Sequence, residues 1–205
     1  MSSYKLVVLL SGEGTNLQTI IDQIDAGKIK AEIAAVISNR ADVNGLKRAE
    51  KAGIPNVVLE HTQFADREAF DQSLAQIIES YEPDLIILAG FMRILSDGFV
   101  NQFQGKLINI HPSLLPKYKG LHTHKRALEN ADAEHGASVH FVIPELDAGT
   151  VIIQGIVPIK PDDTEETLAN RVHKIEYVIY PQAISLLIEN GNTPEKPVQI
   201  YLEED

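Results

Sequence analysis

Three stretches of the chain are apolar at every position: Leu6-Val7-Val8-Leu9-Leu10, Ile33-Ala34-Ala35-Val36-Ile37 and Leu85-Ile86-Ile87-Leu88-Ala89. A strand covered on one face alternates, so unbroken apolar runs of this length predict strands buried on both faces. Val57-Val58-Leu59 is a fourth, shorter strand. Between these runs the period changes to that of a helix. Leu17, Ile20, Ile21 and Ile24 share one helical face, as do Phe70, Leu74, Ile77 and Ile78 within 66–81. A shorter helix over 46–52 is stopped by Gly53, with Pro55 just beyond. Regular alternation of strand and helix predicts a parallel sheet with helices on both faces. Crossovers in such sheets are right-handed, and ligands gather at the strands' carboxyl ends.

The second half is patterned differently. Leu107-Ile108-Asn109-Ile110-His111 reads as a buried strand that runs into a loop bounded by Pro112 and Pro116. A short helix is predicted over 125–130. Positions 138–142 alternate polar and apolar, as a half-covered strand does, and 151–157 alternate again. The two are expected to pair as an antiparallel extension. Thr164-Glu165-Glu166-Thr167 opens a long helix whose acidic first turn suits its dipole. Leu168, Val172, Ile175, Ile179, Ile184 and Leu187 face inward, and Pro181 is expected to kink or divide the helix near Tyr180. From Gly191 the tail is turn-rich, with a last edge strand at Val198-Gln199-Ile200-Tyr201. The expected fold is α/β: a mostly parallel, Rossmann-like sheet with helices on both faces and a C-terminal antiparallel extension. With no repeat, low-complexity tract or linker, a single domain over 1–205 is expected, its first hundred residues serving mainly a phosphate ligand.

Composition narrows the function. A formal charge of −11 repels long polyanions, which argues against nucleic acid as the main partner. A small phosphorylated molecule needs only a local nest of donors and stays possible. There is no cysteine, so disulfides, thiolate metal sites and cysteine nucleophiles are excluded together. The first apolar run is too short for a signal or membrane-spanning helix, so a cytoplasmic protein without membrane attachment is expected.

Four loops carry candidate chemistry. Ser11-Gly12-Glu13-Gly14-Thr15-Asn16 joins the first strand to a helix, either as a plain turn or as an anion site at the helix N-terminus. Leu17 stands where a dinucleotide fingerprint has its third glycine, so that motif is not met. Gly90-Phe91-Met92-Arg93-Ile94-Leu95 follows another strand and is either a hydrophobic elbow or the wall of an aromatic ligand pocket. Asn109 and His111, two apart in a strand, face one spot where an amide and an imidazole can hold a polarised carbonyl oxygen; the alternative is a structural Asn and a core His. Pro144-Glu145-Leu146-Asp147 brings acids beside small residues in a loop, with Asp147 either a turn residue or a ligand to the site. His122 and His124 lack further ligands at sensible spacing, so no metal is expected.

Taken together these motifs resemble the folate-dependent formyltransferases. The resemblance runs from about Lys5 to about Leu187. Its most specific parts are Asn109-Ile110-His111-Pro112-Ser113-Leu114-Leu115-Pro116 and Gly120-Leu121-His122-Thr123-His124, with the Ser11–Asn16, Ala89–Arg93 and Glu145–Asp147 segments in the same order. The resemblance implies transfer of a formyl group from 10-formyltetrahydrofolate to an amine, with Asn109, His111 and Asp147 as catalytic residues. Members acting on tRNA carry a further C-terminal domain and deformylases an N-terminal one. Neither is expected here, since the sequence begins almost at its first strand; with the acidic charge and the Gly120–His124 run, the resemblance implies a small acceptor, glycinamide ribonucleotide, and a place in purine biosynthesis.

By the same resemblance Gly14, Thr15 and Asn16 cradle the ribonucleotide phosphate and Glu176 holds ribose hydroxyls. Met92, Arg93, Ile94 and Leu95, with Asn109, Ile143, Pro144, Glu145, Leu146 and Asp147, form the folate site. His173 stands where relatives often have Gln or Lys, and Glu13, beside a phosphate, must point outward. The implied mechanism is direct attack of a neutral amine through a tetrahedral intermediate. Asn109 and His111 donate to its oxygen, and Asp147 accepts from the other imidazole nitrogen or from a bound water. Rival readings are hydrolysis of the folate, another small amine acceptor, an NADP-dependent oxidoreductase suggested by Arg40, and a folate-binding module without catalysis. A monomer or a homodimer fits equally.

Overall fold

The structure, a computed structural model, describes residues 3–193 and 196–202. The turn-rich tail expected from Gly191 therefore lies partly outside the described residues. The chain forms two compact units, Met1–Ile108 and Asn109–Asp205.

In the first unit the apolar runs are strands β1 (Tyr4–Leu10), β2 (Ala31–Ser38), β3 (Asn56–Val58) and β4 (Leu85–Leu88). Their order is β3-β2-β1-β4, and each neighbouring pair is parallel. Leu6 to Leu10 and Leu85 to Ile87 are fully buried, as unbroken apolar runs require. The connecting helices are α1 (Thr15–Asp25), α2 (Asn44–Lys51) and α3 (Arg67–Ser80), followed after β4 by α4 (Asp97–Gln102). Asp66 caps α3 by accepting from the Ala69 amide at 2.8 Å, and Ser96, rather than Asp97, caps α4.

Strand β5 (Leu107–His111) leads into the second unit, whose order is β5-β6-β7-β8 with β6 (Glu134–Phe141), β7 (Val151–Pro158) and β8 (Val198–Tyr201). β6 and β7 are antiparallel, as expected, and β8 runs parallel to β7. Helix α5 (Thr123–Glu129) precedes β6, and α6 (Glu165–Glu189) packs on β6 and β7. Leu168, Val172, Ile175, Ile179, Ile184 and Leu187 of α6 are all buried. Each contributes about 1.5–3 kcal/mol relative to exposure. Thr164 and Thr167 form a reciprocal capping box at its start. Arg171 makes two bonds to Asp163, at 2.7 and 2.9 Å, and a third to the Pro158 carbonyl. That guanidinium holds the Asp163 carboxyl well below the usual carboxylate range.

Two expectations need correction. Pro181 does not divide α6, which continues as one element to Glu189. β6 is not half-covered: every residue from His135 to Phe141 is buried, and the strand begins at Glu134, earlier than its alternation suggests. Gly136 hides this start, since glycine weakens a strand pattern. Here it is required, because a Cβ at Gly136 would lie 1.8 Å from the Gly155 carbonyl oxygen.

The buried polar residues of this region are satisfied by distant backbone. Ser138 donates to the Ser113 carbonyl at 2.7 Å and accepts from the Leu115 amide at 3.0 Å and from Gln154 Nε2 at 2.9 Å. Gln154 Nε2 also donates to the Leu115 carbonyl at 2.9 Å. The proline loop after β5 is therefore pinned to β6 and β7 by two side chains. Ser138→Ala leaves the Leu115 amide and the Ser113 carbonyl short of partners in the core. It should cost roughly 2–4 kcal/mol in urea unfolding, and a loss within experimental error would show that the loop is held otherwise.

Candidate active site

In the first unit, two loops at strand carboxyl ends are tied by one hydroxyl. Ser11, just after β1, donates from Oγ to Asn39 Oδ1 at 2.6 Å and accepts from the Met92 amide at 2.8 Å. Its own amide donates to the Gly90 carbonyl at 3.1 Å. Ser11 and Asn39 are buried, and Asn39 Nδ2 lies 3.2 Å from His61 Nδ1. Neither Asn39 nor His61 was signalled by the sequence pattern, because their link to Ser11 spans tens of residues.

Gly14 has a left-handed φ of 67° and serves as N-cap residue of α1. It also has no room for a side chain, since a Cβ there would stand 2.6 Å from the Gly45 Cα. Thr15 is exposed and Asn16 half-buried in the first turn of α1, whose amides point along the axis toward the glycine loop. The Glu13 carboxylate accepts from Asn44 Nδ2 at 2.8 and 3.1 Å, which turns it toward α2. Arg48 Nε donates to the Glu13 carbonyl at 2.8 Å and braces the same loop.

The loop after β4 is apolar and open. Met92 is 74% exposed and Ile94 69%, whereas Leu95 is buried. Arg93 is half-buried, with its guanidinium 5.0 Å over the Phe70 ring. Two large apolar side chains so exposed on one loop are an apolar ligand surface in the making.

In the second unit the structure brings Asn109, His111 and Asp147 together and adds a residue that the sequence reading missed, His140. His111 Nδ1 lies 3.4 Å from Asp147 Oδ2, and both side chains are buried. His140 Nε2 lies 3.7 Å from Asp147 Oδ1 and 3.4 Å from Asn109 Nδ2. His140 Nδ1 faces the Phe141 carbonyl at 2.9 Å. A carbonyl only accepts, so Nδ1 carries the proton and Nε2 presents a lone pair to the Asn109 amide. Burial lowers the His140 pKa and keeps the ring neutral, consistent with that tautomer. The one available signal was a histidine at position 140 set between Val139 and Phe141 in an expected strand.

His111 Nε2 is held by the Tyr118 carbonyl at 2.9 Å. By the same rule it carries a proton, and Nδ1 is the nitrogen left facing Asp147. Asp147 has a left-handed φ of 48°, and its Oδ2 accepts from the Gly120 amide at 2.9 Å. The neighbouring loop exposes Leu146 at 55% and Ile143 and Pro144 as well, while Glu145 pairs with Lys119 at 2.9 Å. Leu121, at 79% exposed, is a further apolar group in the 117–122 loop that the sequence reading did not single out. Glu176 is buried on α6 near Tyr180, whose hydroxyl pKa is raised by burial and by that carboxylate. His173 is exposed on the same helix and close enough to His124 to help burial lower its pKa.

His124 and His135 lie behind the cluster, Nδ1 to Nε2 at 3.1 Å. Burial, then the His124 ring, push the His135 pKa down to about 4 from 6.5. With the folded value below the unfolded one, stability is full above about pH 6.5 and falls as the pH drops toward 4. The loss reaches up to about 3 kcal/mol. A His135→Gln variant should unfold with a flatter pH dependence over that window, and an unchanged slope would contradict the assignment. Among the described residues no group of three or more His, Cys, Asp or Glu is arranged to hold a metal ion. No helix among them is long and apolar enough to cross a membrane.

The amide–imidazole–carboxylate cluster of the second unit has the donors and the carboxylate that acyl-group transfer requires. The family model described as formyl transferase matches residues 4–184, and the chain belongs to that family. The match spans both compact units. The chain is similar to the phosphoribosylglycinamide formyltransferase of Escherichia coli (strain K12), 55% identical over 180 residues that cover 88% of this chain and 85% of that protein. Among solved structures, phosphoribosylglycinamide formyltransferase from Coxiella burnetii aligns with a TM-score of 0.88 at 52% identity, covering 92% of this chain and 89% of that one. Glycinamide ribonucleotide transformylase 1 from Symbiobacterium toebii aligns with a TM-score of 0.90 at 40% identity, covering 98% and 95%. The α/β, mostly parallel fold read from the sequence is thus the fold of these enzymes.

Proposed function

We propose that this protein transfers the formyl group of 10-formyltetrahydrofolate to the amine of glycinamide ribonucleotide, giving the N-formyl product and tetrahydrofolate in de novo purine biosynthesis. The observation that carries the reading is the cluster of half-buried Asn109 with the buried side chains of His111, His140 and Asp147, set in a chain of this family. The neutral amine attacks the formyl carbon, and the carbonyl electrons move to oxygen. Asn109 spends one N–H on His140 and offers the other to that oxygen. His111 offers Nδ1–H when protonated, and the Asp147 carboxylate beside it stabilises the imidazolium. As the C–N10 bond breaks, the proton released by the attacking amine passes to N10 through a water held by Asp147.

Gly14, Thr15 and Asn16 hold the ribonucleotide phosphate, with Glu176 on the ribose hydroxyls. Met92, Arg93, Ile94 and Leu95, together with Asn109, Ile143, Pro144, Glu145, Leu146 and Asp147, receive the folate. The exposed apolar side chains of the 90–95 and 143–147 loops support this assignment. The two units serve as one formyltransferase domain, a reading supported by one family model matching residues in both. A cytoplasmic monomer or homodimer fits this role, with no nucleic acid, membrane or metal required.

The test is a panel of acceptors. Formyl transfer should proceed with glycinamide ribonucleotide and be at least a hundredfold slower with simple amines or other amino nucleotides. Release of formate at the same rate with no acceptor would make the protein a hydrolase instead, and a better rate with a different amine would replace the acceptor. Glu176→Ala should raise KM for the ribonucleotide by roughly 10-fold or more, from loss of charge-assisted hydrogen bonds, with KM for the folate unchanged. An unchanged ribonucleotide KM removes Glu176 from the ribose.

A further inference from the structure

Two polar groups of the catalytic cluster take their orientation from backbone rather than from side chains. The Tyr118 carbonyl fixes the proton on His111 Nε2, at 2.9 Å, and the Gly120 amide occupies a lone pair of Asp147 Oδ2, also at 2.9 Å. Both groups belong to the 117–122 loop. Tyr118 has a left-handed φ of 55°, which a tyrosine adopts only where its surroundings hold it. The loop does not keep this shape through local preference.

Arg126, on α5, holds it. Its Nη1 donates to the Lys119 carbonyl at 2.7 Å and to the Leu121 carbonyl at 3.4 Å, one on either side of Gly120. Its guanidinium carbon also lies 5.1 Å from the centre of the Tyr118 ring. The far end of that ring is fixed separately: the Tyr118 hydroxyl donates to Asp132 at 2.7 Å and accepts from Asn130 Nδ2 at 2.9 Å. Arg126 thus brackets Tyr118 and Gly120, the two residues whose backbone faces His111 and Asp147, and its own bonds go to neither catalytic side chain.

We propose that Arg126 is a positioning residue for formyl transfer: its guanidinium clamps residues 118–121 so that the Tyr118 carbonyl sets the His111 tautomer and the Gly120 amide orients Asp147. The inference rests on the catalytic reading of that cluster given above. One nitrogen reaches both carbonyls while the guanidinium plane lies over the Tyr118 ring, and the second contact needs that flat, delocalised group. A lysine ammonium has the charge without that shape. When the clamp is lost the loop relaxes, the Nε2–H bond breaks, and Nδ1 no longer points reliably at Asp147.

The experiment uses the full-length protein as wild type, Arg126→Gln and Arg126→Lys. It measures kcat and KM for both substrates and, independently of activity, the ¹⁵N NMR signals of the His111 ring. In wild type the Nε2-bound proton should be slow to exchange with solvent. In Arg126→Gln that signal should be lost and kcat should fall at least tenfold, with each KM within twofold. Arg126→Lys should resemble Gln more than wild type, and it is the deciding variant if Gln does not fold. Retention of the Nε2 proton signal in the variants would overturn the proposal, as would an unchanged kcat or a loss confined to KM. If the wild type itself transfers no formyl group, the reaction assigned above fails, and the ring signals still decide whether Arg126 sets the His111 tautomer.

Discussion

Purified His111→Ala should transfer formyl groups roughly 10²–10³-fold more slowly than wild type, the typical cost of removing one donor from a developing oxyanion. The loss should appear in kcat, with KM for the folate nearly unchanged, because Nδ1–H is proposed to tighten on the oxygen only as charge develops there. The ring is buried and bonded to the Tyr118 carbonyl, so truncation also removes packing. Thermal unfolding of the variant separates the two effects: a folded, stable and nearly inactive protein is expected. Asn109→Ala and Asp147→Asn should fall in the same direction, for loss of the second donor and of the carboxylate charge. A His111→Ala enzyme that turned over like wild type would remove the histidine from the oxyanion.

The second large effect is expected at Gly14, which is constrained twice. Its φ of 67° is costly for any residue with a Cβ, and a Cβ there would stand 2.6 Å from the Gly45 Cα and 3.4 Å from its nitrogen. Backbone cannot swing aside as a side chain can, so Gly14→Ala must displace either the glycine loop or the start of α2. The left-handed conformation alone costs about 1–2 kcal/mol, and the melting temperature should drop by several degrees. The functional consequence is larger. Amides at the start of α1 shift from the positions proposed for the phosphate, and KM for the ribonucleotide should rise more than tenfold while KM for the folate holds. Equal rises for both substrates would mean general damage, and an unchanged ribonucleotide KM would place the phosphate elsewhere.

How much of this was legible depended on where each residue's partners lie. β1, β2 and β4 were readable because burial on both faces leaves an unbroken apolar run, a signal carried wholly by neighbours in sequence. β6 was readable only in its second half. Ser138 and His140 look like solvent-facing positions in an alternating strand, yet both are buried and bonded, to partners 25 and 1 residues away respectively. Alternation cannot distinguish a polar group facing water from one satisfied by a distant carbonyl.

The candidate site divides in the same way. Asn109 and His111 follow from strand alternation, and Asp147 from the family motif. His140 was hidden by the misread strand, and Ser11 with Asn39 by the distance between them. The Tyr118 carbonyl had no sequence signal at all, since every residue has a carbonyl and only the fold decides which one faces an imidazole. Arg126 shares that invisibility because it binds backbone through a loop in left-handed conformations. The division allowed for at Pro181 does not occur for the converse reason: a local breaker is overridden by the packing of buried residues on either side, Ile179 and Ala183 among them.

The central claim is that one formyl group moves intact from folate nitrogen to the ribonucleotide amine. The most direct measurement follows a ¹³C-labelled formyl group on 10-formyltetrahydrofolate by NMR with equimolar glycinamide ribonucleotide and purified protein. The label should appear in the N-formyl ribonucleotide one-for-one with the tetrahydrofolate formed, and none should appear as free formate. Label accumulating in formate, or remaining on the folate while the ribonucleotide stays unmodified, would contradict it.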